Sequence, residues 1–159
     1  MSVQFTLPEG GKIVQALEPQ AGAAVTGDYV SLKNYHSCYV IVQVTQAAAN
    51  TMAITIEQAT GVGAGGTIPI TQTVPIWANE DCATSDTLVR QPNAVGFTTS
   101  AAQLHKVIVF KIDADHLDAT FDCITVITAA SNATNITSAI YVLIPSRYAD
   151  ATPPSAIID

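Results

Sequence analysis

Apolar residues in this sequence recur at every second position, in short runs that end at Gly, Pro, Asn or Asp. Side chains alternate between the two faces of a β-strand, so a period of two marks strands with one buried face. His36 to Gln46 shows the pattern most clearly, with Cys38, Val40, Val42 and Val44 on one face and Tyr39, Ile41, Gln43 and Thr45 on the other. The first set is expected in the core. Thr51 to Gln58 repeats the pattern with Met52, Ile54 and Ile56. About four residues separate the two runs, a spacing that predicts an antiparallel hairpin.

The rest of the chain reads in the same way. Val3 to Leu7 alternates and stops at the turn signal Pro8-Glu9-Gly10-Gly11. Lys12 to Leu17 is a second strand closed by Pro19, and Asp28 to Lys33 a third. Ile68 to Trp77 is extended, and Pro69 and Pro75, which lack ladder donors, place it at a sheet edge. Thr87 to Val89 and Asn93 to Thr99 are weaker strands, and Asn79 to Asp86 is a polar loop with room for one helical turn. Leu104 to Ile112 is expected to be a central strand, apolar at Val107, Val109 and Phe110 with Ile108 opposite. Phe121 to Thr128 and Ser138 to Ile144 complete the set, the last stopped by Pro145. No run of helical period carries caps at both ends. The expected fold is all-β: a β-sandwich or jelly roll of about nine or ten mostly antiparallel strands, with at most short helical turns. Residues 1–148 form one domain, and 149–159, with Pro153-Pro154, an extended tail.

Charge narrows the function. Only 12% of the 159 residues are charged, against about 25% in an average domain. Interface cores are depleted in charge, so the deficit suits a subunit whose surface is covered by neighbours. The net charge is −7, and Lys12, Lys33, Arg90, Lys106, Lys111 and Arg147 are scattered, whereas phosphate binding needs clustered cations; no nucleic-acid partner is expected. No apolar run approaches the ~20 residues of a membrane-spanning helix. The opening Met1-Ser2-Val3-Gln4 lacks the basic and apolar segments of a secretory signal. Cys38, Cys82 and Cys123 form no CxxC pair; Cys38 and Cys123 lie in apolar strands, and Cys82 sits among carboxylates, which disfavour a thiolate. The expected setting is a reducing cytosol.

The motifs carry little chemistry. Gly61, Gly63 and Gly66 match GxGxxG, but Thr67-Ile68-Pro69-Ile70 follows, which cannot open the helix that a dinucleotide needs; a flexible loop is expected and no cofactor. Asp113, Asp115, His116 and Asp118 offer ligand types for a hard cation, but not in EF-hand order. The plainer reading is an acidic turn with Asp113 capping a short helix. No GxSxG elbow or HExxH is present, so an enzyme is not expected. Asn132 and Asn135 head glycosylation sequons that have no secretory context. Candidate interface residues are Phe5, Leu7, Trp77 and Tyr148, with Ile157 and Ile158 beyond the Pro-Pro stiffener. Tyr35 and Tyr39 are further aromatic candidates.

Three segments give the chain a resemblance. They are Val30-Ser31-Leu32-Lys33-Asn34-Tyr35 with the strands Cys38 to Gln46 and Ala53 to Ala59; Val107 to Ile112 with Asp113 to Asp118 and Phe121-Asp122-Cys123-Ile124; and Ser138 to Leu143. Together they resemble small virion proteins of tailed bacteriophages and prophages, some of which decorate or cement the capsid. The resemblance implies a non-enzymatic subunit on the capsid surface, assembled in the bacterial cytoplasm and bound to the major capsid protein and to copies of itself. A head-completion, tail or fibre-base component and a jelly-roll carbohydrate-binding module are the alternatives.

Overall fold

The computed structural model describes residues 6–145 and 154–158, and the alternating runs become twelve strands there. A helical turn, α1 (Leu7–Gly10), precedes β1 (Lys12–Ala21), β2 (Val25–Thr26), β3 (Val30–Ser31), β4 (Tyr35–Thr45), β5 (Ala53–Ala59) and β6 (Ile68–Pro69). There follow β7 (Val74–Asn79), β8 (Val89–Ala94), β9 (Gly96–Thr98), β10 (His105–Asp113), a 3-10 turn (Ala114–His116), β11 (Cys123–Thr128) and β12 (Ile136–Pro145). One sheet has the order β1-β12-β4-β10-β7-β8; the other is β2-β11-β5-β6, with β3 also on β11 and β9 also on β5.

The pairing is that of one long ribbon folded over on itself. β1 pairs with β12, β2 and β3 with β11, β4 with β10, and β5 with β6 and β9, all antiparallel. Pairing first with last and working inward is the jelly-roll connectivity among β-sandwiches. The β7–β8 pair widens the first sheet beyond β10.

Burial follows the alternation. Cys38, Val40, Val42 and Val44 of β4, with Ile108, Phe110 and Ile112 of β10, face Met52, Ile54, Ile56, Ile124 and Val126 of the other sheet in a single core cluster. Each such apolar side chain stabilises the fold by about 1.5–3 kcal/mol on burial. Phe110 therefore shares the inner face with Ile108, while Val107 and Val109 point outward: strand parity, not side-chain size, decides which face a residue takes.

Several expectations are corrected. β4 and β5 do not form a hairpin, because they lie in different sheets. Their apolar faces are better buried by stacking across the core than by lying side by side, and the linker arches over the sandwich end. Val3 to Leu7 falls mostly outside the described residues, and Leu7 itself opens α1. β1 continues past Leu17 to Ala21 through two register shifts, since Pro19 costs nothing on an edge strand. β6 is at an edge as expected, but β7 lies between β10 and β8; its Pro75 sits at a register shift, where no ladder bond is lost.

Two polar devices hold the ends. Ala16 of β1 accepts a hydrogen bond from the Asp28 N–H, and Val126 of β11 from the Gly27 N–H, both at 2.8 Å, so one turn ties both sheets. A Cβ on Gly27 would come 2.6 Å from the Ala16 carbonyl oxygen, which is why this approach needs glycine. Tyr141 of β12 crosses the core: its hydroxyl accepts from Val126 N–H at 3.0 Å and donates to Asp28 O at 2.9 Å. It fills the ladder gap between β2 and β3. Burial pushes its phenol pKa far up, so it stays neutral. At the far end Lys106 is fully buried, donating to Ser100 O (2.7 Å) and Ser100 Oγ (2.9 Å) with Glu80 Oε2 at 3.5 Å. Thr99 donates to Gln46 and Gln46 to Ser100 O, which completes the plug.

Tyr141→Phe strands a buried N–H and is expected to cost about 1–3 kcal/mol, read as a lower urea midpoint at unchanged slope. Glu80→Ala removes the carboxylate 3.5 Å from the buried Lys106 ammonium and should cost about 3 kcal/mol, the low end for a buried pair because Glu80 is partly exposed. Lys106→Met, which removes the charge but fills the space, should cost less in the same titration; the opposite order would show that the ion pair is not what holds the plug.

Candidate interaction face

The two sheets present unlike outer faces. On the four-stranded sheet β5 turns Thr55 and Glu57 outward, and Glu57 accepts from the Tyr29 hydroxyl at 2.5 Å. On the six-stranded sheet the outward side chains include an apolar band, which the register lines up beside a more polar row of Ser138, Gln43, Val107 and Asn79. Gln15 pairs with Ile140, Ile140 with Ile41, Ile41 with Val109, Val109 with Trp77 and Trp77 with Arg90. One row thus crosses all six strands, apolar in its four central members. The neighbouring row runs Ile13, Val142, Tyr39, Lys111. Leu7, Leu88 and Ile144 complete the surface. Ile13 and Ile140 remain 47% and 41% exposed, and Val109 and Val142, though nearly covered, lie outside the core cluster.

The charges on this face are few and satisfied. The Arg90 guanidinium stacks over Trp77, 4.9 Å from the ring centroid, and donates to Ile76 O at 3.0 Å, to Gln91 O and to Asn93 Oδ1. Lys111 Nζ donates to Asp113 Oδ2 at 2.8 Å. Burial alone would raise the Asp113 pKa, but the Lys111 ammonium outweighs it and holds the carboxyl below its usual range. The same hydrogen bond raises the Lys111 pKa.

Of the expected interface residues, the structure brings Leu7 and Trp77 to this one surface. Phe5 and Tyr148 lie outside the described residues. Ile157 and Ile158 are exposed elsewhere: their neighbour Ala156 is buried and accepts from the Ser31 N–H of β3, and Pro154 O accepts from the Tyr35 hydroxyl. Tyr35 is a core residue, whereas Tyr39 belongs to the outer face. Sequence reasoning missed Ile13, Ile41, Val109, Ile140 and Val142. The available signal was that β4, β10 and β12 are apolar at both parities, more than a one-sided strand requires.

Asp113, Asp115 and His116 do converge, with ligand atoms within 4.8 Å of one another. They are built as a capped turn: His116 Nδ1 accepts from Asp113 N–H at 3.0 Å and Lys111 already occupies Asp113 Oδ2. Asp118 is drawn away, accepting from Gln58 Nε2 at 2.6 Å and Thr71 Oγ1 at 2.7 Å. Cys38 and Cys123 are buried thiols, and Cys82 is exposed. Asn135 is buried, its side chain bonded to Ala48, Asn50 and Ser131. Among the described residues no helix is long and apolar enough to cross a membrane.

A depressed folded-state pKa at Asp113 adds stability above the ordinary aspartate value of about 3.9, which is lost as the pH falls through the folded value. Wild type should therefore lose more stability than Asp113→Asn in thermal melts between about pH 5 and pH 2. Parallel curves would mean that the Lys111 pair contributes nothing.

The chain matches no family model and no curated protein. Among solved structures it is similar to the crystal structure of the SPBc2 prophage-derived protein YomS. The two share 10% sequence identity and a TM-score of 0.48 over 84% of this chain and 92% of that one. At that level the likeness assigns neither function nor partner.

Proposed function

We propose that this chain is a non-enzymatic structural subunit of a bacteriophage particle, one that decorates the outside of the capsid, binds the major capsid protein and stabilises the shell. The observation that carries the reading is the apolar row across the outer face of the six-stranded sheet. A chain working alone would leave Ile13, Ile140 and Leu88 at the margins of that face in water, while a subunit of an assembly covers them. The low charge of the chain points the same way, since few ion pairs need be desolvated when neighbours close over it. The resemblance of its strand segments to small phage virion proteins supplies the kind of assembly. A glycan platform fits the same face less well, because the Trp77 ring is already covered by Arg90.

The test is cosedimentation of the purified protein with phage capsids that lack it. Saturation at a fixed ratio to capsid protein, with a raised capsid melting temperature, is the expected result. Failure to bind shells, with recovery on tails or head-completion complexes, would replace decoration by the alternative virion role.

A further inference from the structure

We infer that residues 154–158 form a strap that covers the outer edge of β3 and opens as a unit while both sheets stay folded. The inference does not depend on the reading of the chain as a phage subunit.

The edge makes the strap necessary. Among the described residues β3 pairs with β11 alone. Just beyond β3 the Leu32 N–H donates to Asp122 O, on the β11 side, at 2.6 Å. Donors alternate between the two sides of a strand, so the Ser31 N–H points away from β11. Ser31 is buried, and a buried N–H needs an acceptor. The strap supplies it, as Ala156 O at 2.7 Å. Two residues earlier Pro154 O accepts from the hydroxyl of Tyr35, the buried residue that opens β4. Between these contacts and the exposed Ile157, the Ala156 methyl joins the core cluster.

The hold is small beside what it orders. Among the described residues the strap is tied to the fold by those two hydrogen bonds and one buried methyl, because Ser155, Ile157 and Ile158 are exposed. Against these ties stands the backbone freedom of five residues. β4, by contrast, is bonded along both edges, to β12 and to β10. A segment with few buried apolar contacts and few hydrogen bonds opens locally before its domain unfolds. The two acceptors lie two residues apart, so the Tyr35 hydroxyl and the Ser31 N–H are released together. Closed, the strap blunts an edge that would otherwise offer its donor to another strand.

The test is native-state amide exchange of the full chain at a series of low urea concentrations. The Ser31 amide should exchange more slowly than an unprotected amide and faster than the amides of β4. Its rate should also depend far less on urea, because the opening exposes little surface. Tyr35→Phe removes one of the two hydrogen bonds and should speed Ser31 exchange about tenfold, with the urea dependence still shallow. Ala156→Asp puts a carboxylate into the core cluster and should abolish Ser31 protection while the β4 amides stay protected. A wild-type Ser31 amide with the urea slope of β4 would overturn the proposal, since the strap would then belong to the cooperative core. So would a wild-type Ser31 amide without protection, since no closed form would exist, or full protection in a folded Ala156→Asp chain. Should Ala156→Asp fail to fold, Tyr35→Phe decides: faster exchange on a shallow slope upholds the strap, and an unchanged rate or a steep slope sinks it.

Discussion

A sandwich buries one face of each sheet and leaves the other, and the rest of this molecule is arranged around that constraint. The inner faces carry mostly β-branched, aliphatic and aromatic side chains gathered in one core cluster. The outer faces are free to differ, and they do. One is polar around Thr55, Glu57 and Tyr29, and the other is apolar from Ile140 to Trp77. No core requirement explains the second, because the sheet beneath is already packed.

Width magnifies the effect. The ribbon-like pairing alone would end the larger sheet at β10. The inserted β7–β8 pair adds Trp77 and Arg90 to the row that Ile140, Ile41 and Val109 begin. Arg90 lies on the Trp77 ring and spends its donors on backbone oxygens and Asn93, so the one cation in the row is held flat rather than extended into water. The polar investments lie elsewhere, in the Tyr141 strut and the Lys106 plug that hold the two sheets together at depth and at one end.

Much of the fold was legible in the sequence, because a period of two is a local signal. The inner residues of β4, the Met52, Ile54 and Ile56 set, the central position of β10 and the short turn after Asp113 all follow from alternation and turn residues. Three readings failed for a common reason. The hairpin between β4 and β5, the edge placement of Trp77 and the grouping of Phe110 with Val109 each required knowing which strand lies beside which, or which parity faces the core. Sequence proximity is a weak guide to either in a jelly roll, where neighbours along the chain change sheets.

The candidate face shows the same division. The sequence alone determined that the chain is all-β, sparsely charged, without a nucleophile elbow or a zinc motif, and apolar at both parities of its central strands. Leu7 and Trp77 could be suspected from it. Only the tertiary structure could place Ile140 of β12, Ile41 of β4, Val109 of β10 and Trp77 of β7 in one row, because register is a property of pairs of strands distant in sequence. A one-residue slip in any of those pairings would turn its side chains to the other face. The alternation within each strand is local and can be read from the chain, but the surface that four strands make together exists only once hydrogen bonding has set their registers.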